Sequence, residues 1–203
     1  MDTKKLIEEV LLDLGNNKSL TDVSSKIQII VRLLGDEKLK SWYTCEFVTG
    51  YKDQELPDYR ISRAVEIKAN YIVPQGFGAW KLSGQSVPVA NLGLEKYKEI
   101  MTVRFCDTIS AIIEYSKHPK DVAMSLSPYE QALVQKVLGE AHIQNVHKVL
   151  SPSTFQTIID NVQGRIIDMF MDLNERVFNG ELDLKSNSAK KEIHQVITNN
   201  ITA

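Results

Sequence analysis

The longest run of helical periodicity in the chain lies between Ser151 and Gly180. Apolar residues recur there at steps of three and four and polar residues fill the opposite face, which predicts one long amphipathic helix. Ser151-Pro152 is a start signal, and Asn179-Gly180 is typical of an end with a left-handed residue. The apolar positions are Phe155, Ile158, Ile159, Val162, Ile166, Ile167, Phe170, Leu173 and Val177. A helix this apolar on one face needs a cover, either the rest of the chain or a second copy.

Three shorter helical patterns precede Gly50. Each has an apolar face, and each ends at a glycine, which commonly closes a helix. Ser19 with Asp22 resembles a capping box for the second helix, and Asp36 is a cap for the third. The apolar stripes run over Leu6–Leu14, Leu20–Leu34 and Leu39–Phe47. Because the connections are short, neighbouring helices are expected to be antiparallel, and this region predicts a three-helix bundle.

The pattern changes to a period of two after Pro57. Apolar and polar residues alternate from Tyr59 to Val73, which is typical of a half-buried strand, although Arg63 breaks the apolar side. Pro74–Gly78 is a turn signal, and one or two short strands are expected between Trp80 and Val89. We therefore predict a small antiparallel sheet in the middle of the chain.

Helical and strand-like segments alternate between this sheet and the long helix. Glu95–Phe105 fits either a helix or a short strand at its end, and Asp107 is a cap for the helix that follows. Ser127 with Glu130 forms a capping box, with proline at the first helical position. Ala141–Leu150 favours a strand because its second half is β-branched.

The sequence as a whole predicts an α+β protein with an N-terminal three-helix bundle, a small central antiparallel sheet and a long C-terminal helix. After that helix we expect a polar connection and a short helix over Ala189–Ile197, followed by an uncapped, frayed ending. We assign residues 1–180 to a single α+β domain. Residues 181–203 are assigned to a C-terminal connection and short helix, the start of a tail or further segment.

Charge and composition narrow the function classes. The 203 residues include 24 basic and 26 acidic side chains, a net charge of −2. A broad basic face for duplex DNA is excluded because that binding depends on phosphate neutralisation, although a local basic patch is compatible. No run approaches the ~20 apolar residues of a membrane span and no signal peptide is evident, so we expect a cytoplasmic protein. Cys45 and Cys106 are expected to be buried, reduced thiols.

One catalytic pattern stands out. Pro57-Asp58, a gap of seven residues and Glu66-Ile67-Lys68 match the consensus of PD-(D/E)xK nucleases. In that chemistry the carboxylates hold Mg²⁺ and the lysine steadies the attacking water or the phosphate. Strand alternation puts Glu66 and Lys68 on one face. The competing interpretation is a solvated strand face, and the short gap leaves little room for a turn between two strands.

Other residue types indicate no metal, cofactor or nucleophile site. His142 and His147 are five residues apart and lack the spacing of zinc ligands. No glycine-rich segment has phosphate-loop spacing and no serine has a nucleophile-elbow context. We therefore expect no cofactor and no metal.

Aromatic residues concentrate where the helical patterns give way to the strand patterns. In a mixed domain such residues most often form the seam between helices and sheet. A platform for stacking single-stranded nucleic acid, together with Arg60 and Arg63, is the other interpretation. The residues are Trp42, Tyr43, Tyr51, Tyr59, Phe77 and Trp80.

A set of these residues resembles a family signature. Trp42, Glu46, Gly50-Tyr51 and Leu56-Pro57-Asp58-Tyr59-Arg60 resemble the W…E…GY…LPxYR signature of the AbiTii domain. Gly164-Arg165-Ile166-Ile167-Asp168 is similar to the late helix of the same family. Two departures stand out: the segment from Glu46 to Gly50 is one residue longer than in the family pattern, and Gly164 replaces a more usual polar residue.

The resemblance covers the chain from Leu6 to about Phe178 and implies abortive-infection (anti-phage) defence in bacteria. It supplies no catalytic residues. The signature positions expected to have structural or binding roles are Trp42, Glu46, Gly50, Tyr51, Leu56, Pro57, Tyr59, Arg60, Arg165 and Asp168.

The favoured hypothesis is a non-enzymatic defence module that acts by protein–protein interaction or self-assembly. It implies a protein partner or a homo-oligomer, without a membrane span. The alternative is a Mg-dependent nuclease using Asp58, Glu66 and Lys68. Nucleic-acid binding on the aromatic residues is a third hypothesis.

Overall fold

A computed structural model describes residues 2–52, 54–179 and 186–202. These residues form helices α1 Thr3–Gly15, α2 Leu20–Leu34, α3 Glu37–Thr44, α4 Leu94–Ile100, α5 Ile109–Ser116, α6 Pro128–Leu138, α7 Pro152–Leu173 and α8 Asn187–Thr202. The strands are β1 Ile61–Ser62, β2 Glu66–Gln75, β3 Gly78–Ser86, β4 Val103–Arg104, β5 Val122–Ser125 and β6 His142–Leu150. The predicted α+β class is confirmed.

The chain divides into two compact units. The helical unit comprises Met1–Pro57, Cys106–Glu114 and Gln156–Ala203, and the sheet unit comprises Asp58–Phe105 and Tyr115–Phe155. The assignment of one domain to residues 1–180 and an appended segment to 181–203 stays a prediction.

The N-terminal helices begin and end as the sequence predicts. Ser19 Oγ accepts from the Asp22 N–H and the Asp22 carboxylate accepts from the Ser19 N–H, which is a complete capping box. Asp36 Oδ1 accepts from the Leu39 N–H at 2.9 Å and caps α3. Gly35 closes α2 in the left-handed region, with φ +66°. Helix α2 packs against α1 and α3, so the three-helix bundle is confirmed.

The apolar stripe of α7 is covered within the single chain. All of its predicted residues except the half-buried Ile167 are at most 8 % exposed. The helix continues into a π-helical segment, Asn174–Phe178. Asn179 is right-handed, with φ −86°, and Gly180, the other residue of the predicted end, lies outside the described residues. A second copy is therefore not needed to cover this helix.

The last helix is longer than predicted. Helix α8 runs over Asn187–Thr202, whereas the sequence pattern indicated Ala189–Ile197 and a frayed ending. Two contacts with α7 anchor its end: the Asn200 carbonyl accepts from Arg165 Nη1 at 2.7 Å, and Asn200 Nδ2 donates to Asp172 at 3.0 Å. These contacts are non-local, which is why the local pattern did not indicate them.

The sheet unit is built on four antiparallel strands in the order β3-β2-β6-β5. One face packs on α4 and α6, and its core is Ile67, Ala69, Val87, Val89, Ile100, Leu126, Leu133, Val134 and Val146. The other face carries a polar row in which Lys68 lies opposite Ser86 and His147, and His147 lies opposite Ser125. The predicted antiparallel sheet and the predicted strand at β6 are confirmed.

Several details of the sheet differ from the sequence pattern. Arg63 is exposed in the segment between β1 and β2. It therefore separates two strands, whereas the sequence pattern placed it on the apolar side of a single strand. Val89 begins a 3₁₀ turn instead of a strand. The segment that fitted either helix or strand contains both α4 and β4. Strand β5 was missed because its four residues are too few to establish a period.

Candidate functional site

The signature residues of the helical unit form a buried cluster. Trp42 and Tyr51 are each 5 % exposed, and Glu46 is fully buried. Tyr51 Oη donates to Glu46 Oε1 at 2.6 Å, which gives the buried carboxylate one of the hydrogen bonds it needs. Trp42 packs edge-on against Phe47, with ring centroids 6.4 Å apart. The cluster therefore fixes the course of the chain after α3.

The segment in which the sequence pattern indicates one extra residue is π-helical. Residues Cys45–Thr49 are π-helical and follow α3 without interruption. A π turn closes its hydrogen bond over one residue more than an α turn. Such a wider turn is what an extra residue between Glu46 and Gly50 would require.

Gly50 has a backbone conformation that only glycine adopts readily. Its φ of +73° and ψ of −178° lie in a region essentially restricted to glycine. A Cβ at this position would lie 2.3 Å from the Cys106 carbonyl oxygen. The same oxygen accepts from the Tyr51 N–H at 2.7 Å. Gly50 thus permits the close approach of the two segments in the helical unit.

Cys106 itself is exposed, so the prediction of two buried thiols holds only for Cys45.

The remainder of the first signature is divided between the two units: Leu56 and Pro57 belong to the helical unit, and Asp58-Tyr59-Arg60 begins the sheet unit. Leu56 and Pro57 are half-buried, and Asp58-Tyr59-Arg60 forms one 3₁₀ turn. Arg60 is fully buried, and its carbonyl accepts from the Phe105 N–H at 2.9 Å. A buried guanidinium is not available to nucleic acid, so the stacking platform with Arg60 and Arg63 is wrong as proposed.

Arg165 and Asp168 lie beside an open cavity of about 430 Å³ in the helical unit. Asp160, Asn161, Gly164 and Asn200 also line it. The contact between Arg165 and the Asn200 carbonyl gives the arginine a role in holding α8. No atom of the other described elements lies within 4 Å of a Cβ built on Gly164, so there is space for a side chain here.

Of the candidate nuclease residues, the structure pairs Glu66 with Lys68. Lys68 Nζ lies 3.1 Å from Glu66 Oε2, so both side chains are on one face of β2, as the alternation predicts. The Ser86 hydroxyl also donates to Glu66, and these hydrogen bonds, that of Ser86 first, lower the pKa of Glu66. Asp58 is exposed on the 3₁₀ turn. In the described parts of the chain, no three His, Cys, Asp or Glu side chains are grouped to hold a metal ion.

A polar groove lies between α6 and the end of β6 that β5 leaves unpaired. Strand β5 pairs with β6 only from His147 to Leu150, so His142–Val146 has no neighbour on that side among the described strands. The groove has a volume of about 460 Å³. Its lining is Ser125, Gln131, Ala132, Gln135, Ile143, Gln144, Asn145, Val146 and His147. We call this feature the amide groove.

Two of its glutamines fix the shape of the amide groove. Gln131 Nε2 donates to the Leu126 carbonyl at 3.0 Å. Gln135 Nε2 donates to the carbonyls of Gly139 and Ala141, each at 2.8 Å. The walls of the groove are therefore held in place before anything binds.

Sequence reasoning missed the amide groove and a buried ion pair of Lys148 with Glu130. The groove depends on how far β5 extends, which no local pattern specifies. The sequence did contain a signal for the buried Lys148. It is two residues from both Val146 and Leu150, so it lies on the same, apolar face of β6.

Comparison with known proteins gives one match. The AbiTii family model matches residues 5–198 of the 203. The chain belongs to the AbiTii family. This membership confirms the resemblance and places the protein in bacterial abortive-infection (anti-phage) defence. Neither the search of curated proteins nor the search of solved structures found a match.

For this AbiTii protein, the signature positions described above have mainly interior roles. Trp42, Glu46, Tyr51 and Arg60 are all at most 5 % exposed. None of its described helices has both the length and the apolar character that crossing a membrane requires.

Proposed function

We propose that this AbiTii protein is a non-enzymatic module of an abortive-infection system that acts in the cytoplasm through protein–protein contact. The partner proposed first is a second copy of the same chain. The observation that carries the proposal is the burial of the signature residues. Catalytic groups must reach a substrate, whereas Trp42, Glu46 and Arg60 are enclosed by the chain. Their burial supports a role in setting the architecture.

The amide groove supports the choice of protein as partner. Extended segments bind proteins by adding backbone hydrogen bonds along a free strand edge, and the end of β6 offers such an edge. Natural proteins commonly protect free edges with lysine or proline, and His142–Val146 contains neither. The unpaired amides of Gln144 and Asn145 add donors and acceptors at the rim.

Self-assembly through the amide groove is testable with Ala132→Arg. Ala132 is exposed on α6 and lines the groove, and arginine is a good helix former, so the variant should fill the groove without unfolding α6. We expect light scattering to give a mass above 23.0 kDa for the wild type and a monomer mass for the variant.

Ala90→Arg is the matched control, because Ala90 is an exposed alanine of the sheet unit outside the groove. It should assemble like the wild type. A wild-type protein that is monomeric at every concentration would contradict self-assembly through the groove.

The nuclease hypothesis has one supporting observation, the shared face of Glu66 and Lys68. The same pair also satisfies itself as a surface ion pair, since both side chains are at least a third exposed. Because this arrangement is what a solvated strand face would also produce, it does not favour catalysis over the structural interpretation.

A further inference from the structure

The β2–β3 hairpin extends beyond the rest of its sheet. Strand β2 pairs with β6 only from Glu66 to Ile72, whereas its pairing with β3 continues to Gln75 opposite Gly78. Among the described strands, Val73–Gln75 therefore has β3 as its sole neighbour. The turn between β2 and β3 forms a two-stranded projection, which we call the hairpin tip and define as Val73–Trp80.

Aromatic side chains at the hairpin tip face solvent. Phe77 is fully exposed in the turn, and Trp80 is 65 % exposed. The other tryptophan of the chain, Trp42, is only 5 % exposed. Two large aromatic side chains exposed on the same projection form an apolar patch, and exposed apolar patches mark interaction sites.

The charged residues of the hairpin after Glu66 are all basic. No charged residue occurs from Ala69 to Trp80, and no acidic residue occurs from Ile67 to Leu94. Lys81 follows Trp80 directly and is exposed opposite Ile72 on the neighbouring strand. An apolar tip with a basic residue next to its tryptophan matches a surface that is negatively charged outside and apolar beneath.

We propose that the hairpin tip docks on the surface of an anionic lipid bilayer. Trp80 would lie at the headgroup level that tryptophan favours, Phe77 would reach the acyl boundary, and Lys81 would face anionic headgroups. Insertion is shallow, because the outer edge of β3 carries backbone groups that need water. Single-stranded nucleic acid is less suited as the ligand, since the tip offers one cation for phosphate contacts.

The test is flotation of the full chain with vesicles, with tryptophan fluorescence as a second readout. Vesicles of phosphatidylcholine are compared with equimolar phosphatidylcholine and phosphatidylglycerol. We expect binding to the anionic vesicles and a blue shift of the emission, which reports on Trp80 because Trp42 is already buried. Phe77→Ser/Trp80→Ser should abolish binding, and Lys81→Glu should weaken it about tenfold.

Leu12→Ser is the matched control, because Leu12 is 66 % exposed on α1 and lies outside the hairpin. It should bind vesicles like the wild type. Absence of wild-type binding to anionic vesicles, or equal binding by the Phe77→Ser/Trp80→Ser variant, would overturn the proposal; if those substitutions instead lower the assembly mass, the tip contacts protein. Ala132→Arg should leave vesicle binding intact, so this proposal and the proposed function fail separately.

Discussion

Gly50→Ala is expected to destabilise the protein by about 4 kcal/mol, among the largest effects of a single substitution. Two causes add. The backbone of Gly50, at φ +73° and ψ −178°, is strained for any residue with a Cβ. The new methyl would also lie 2.3 Å from the Cys106 carbonyl oxygen, a backbone atom that cannot move away without breaking its bond to the Tyr51 N–H.

Urea unfolding followed by circular dichroism measures this effect. The control is Gly35→Ala, because Gly35 also has positive φ, at +66°, but no described residue beyond its chain neighbours has an atom within 4 Å of a built Cβ. Gly35→Ala should therefore lose only about 1 kcal/mol, the cost of the left-handed conformation. Equal losses for the two variants would show that the close approach at Cys106 carries no strain.

Lys148→Met should cost about 3–4 kcal/mol, because it leaves a largely buried carboxylate without its cation. Lys148 Nζ lies 2.6 Å from Glu130 Oε1, and the two side chains are 8 % and 17 % exposed. The ammonium also donates to the Thr102 carbonyl at 3.0 Å. Glu130 Oε2 accepts from the Ser127 N–H at 2.8 Å, so one carboxylate both caps α6 and pairs with β6.

A double-mutant cycle separates the ion pair from the cap. Glu130→Gln keeps a residue that completes a capping box, and combined with Lys148→Met it removes both charges. The double variant should recover about 2 kcal/mol relative to Lys148→Met alone. A double variant that is no more stable than Lys148→Met would show that packing of the lysine stem, and not charge, is what the single substitution lost.

The acid dependence of stability gives a second readout. Burial raises the pKa of Glu130, but the hydrogen bonds from Lys148 and Ser127 outweigh it and hold the pKa below its ordinary value of 4.5. A carboxyl with a lowered folded pKa stabilises the protein above its unfolded pKa and loses that contribution as pH falls through the folded value. Wild-type stability should therefore fall below about pH 4.5, and Glu130→Gln should flatten that fall.

The helices were predictable because their signals are local. Ser19, Asp36 and Ser127 each cap their helix through an amide three residues later, which sequence spacing reveals directly. The long helix α7 was predictable for the same reason, through its periodic apolar residues. The elements that cover α7 were not predictable, because a stripe of apolar side chains indicates that the helix face is buried but does not identify what buries it.

The candidate site was less predictable because it depends on where strand pairing ends and on the register between strands. The pairing of β2 with β6 stops at Ile72, and that of β5 stops at His147, so the hairpin tip and the amide groove both arise from where pairing ends. Strand periodicity is the same in paired and unpaired stretches. The signature residues were identified from the sequence, but their burial, with Glu46 and Arg60 fully enclosed, became evident only in the structure.

Phage plating on cells that carry the defence system tests the central claim most directly. Four genes are compared: wild type, Ala132→Arg, Ala90→Arg, and the combined Asp58→Ala/Glu66→Gln/Lys68→Ala variant, each checked for equal protein level. A module that works by protein contact predicts that Ala132→Arg loses protection while Ala90→Arg and the triple variant keep it. Loss of protection in the triple variant, with full protection by Ala132→Arg, would contradict the account and favour the nuclease hypothesis.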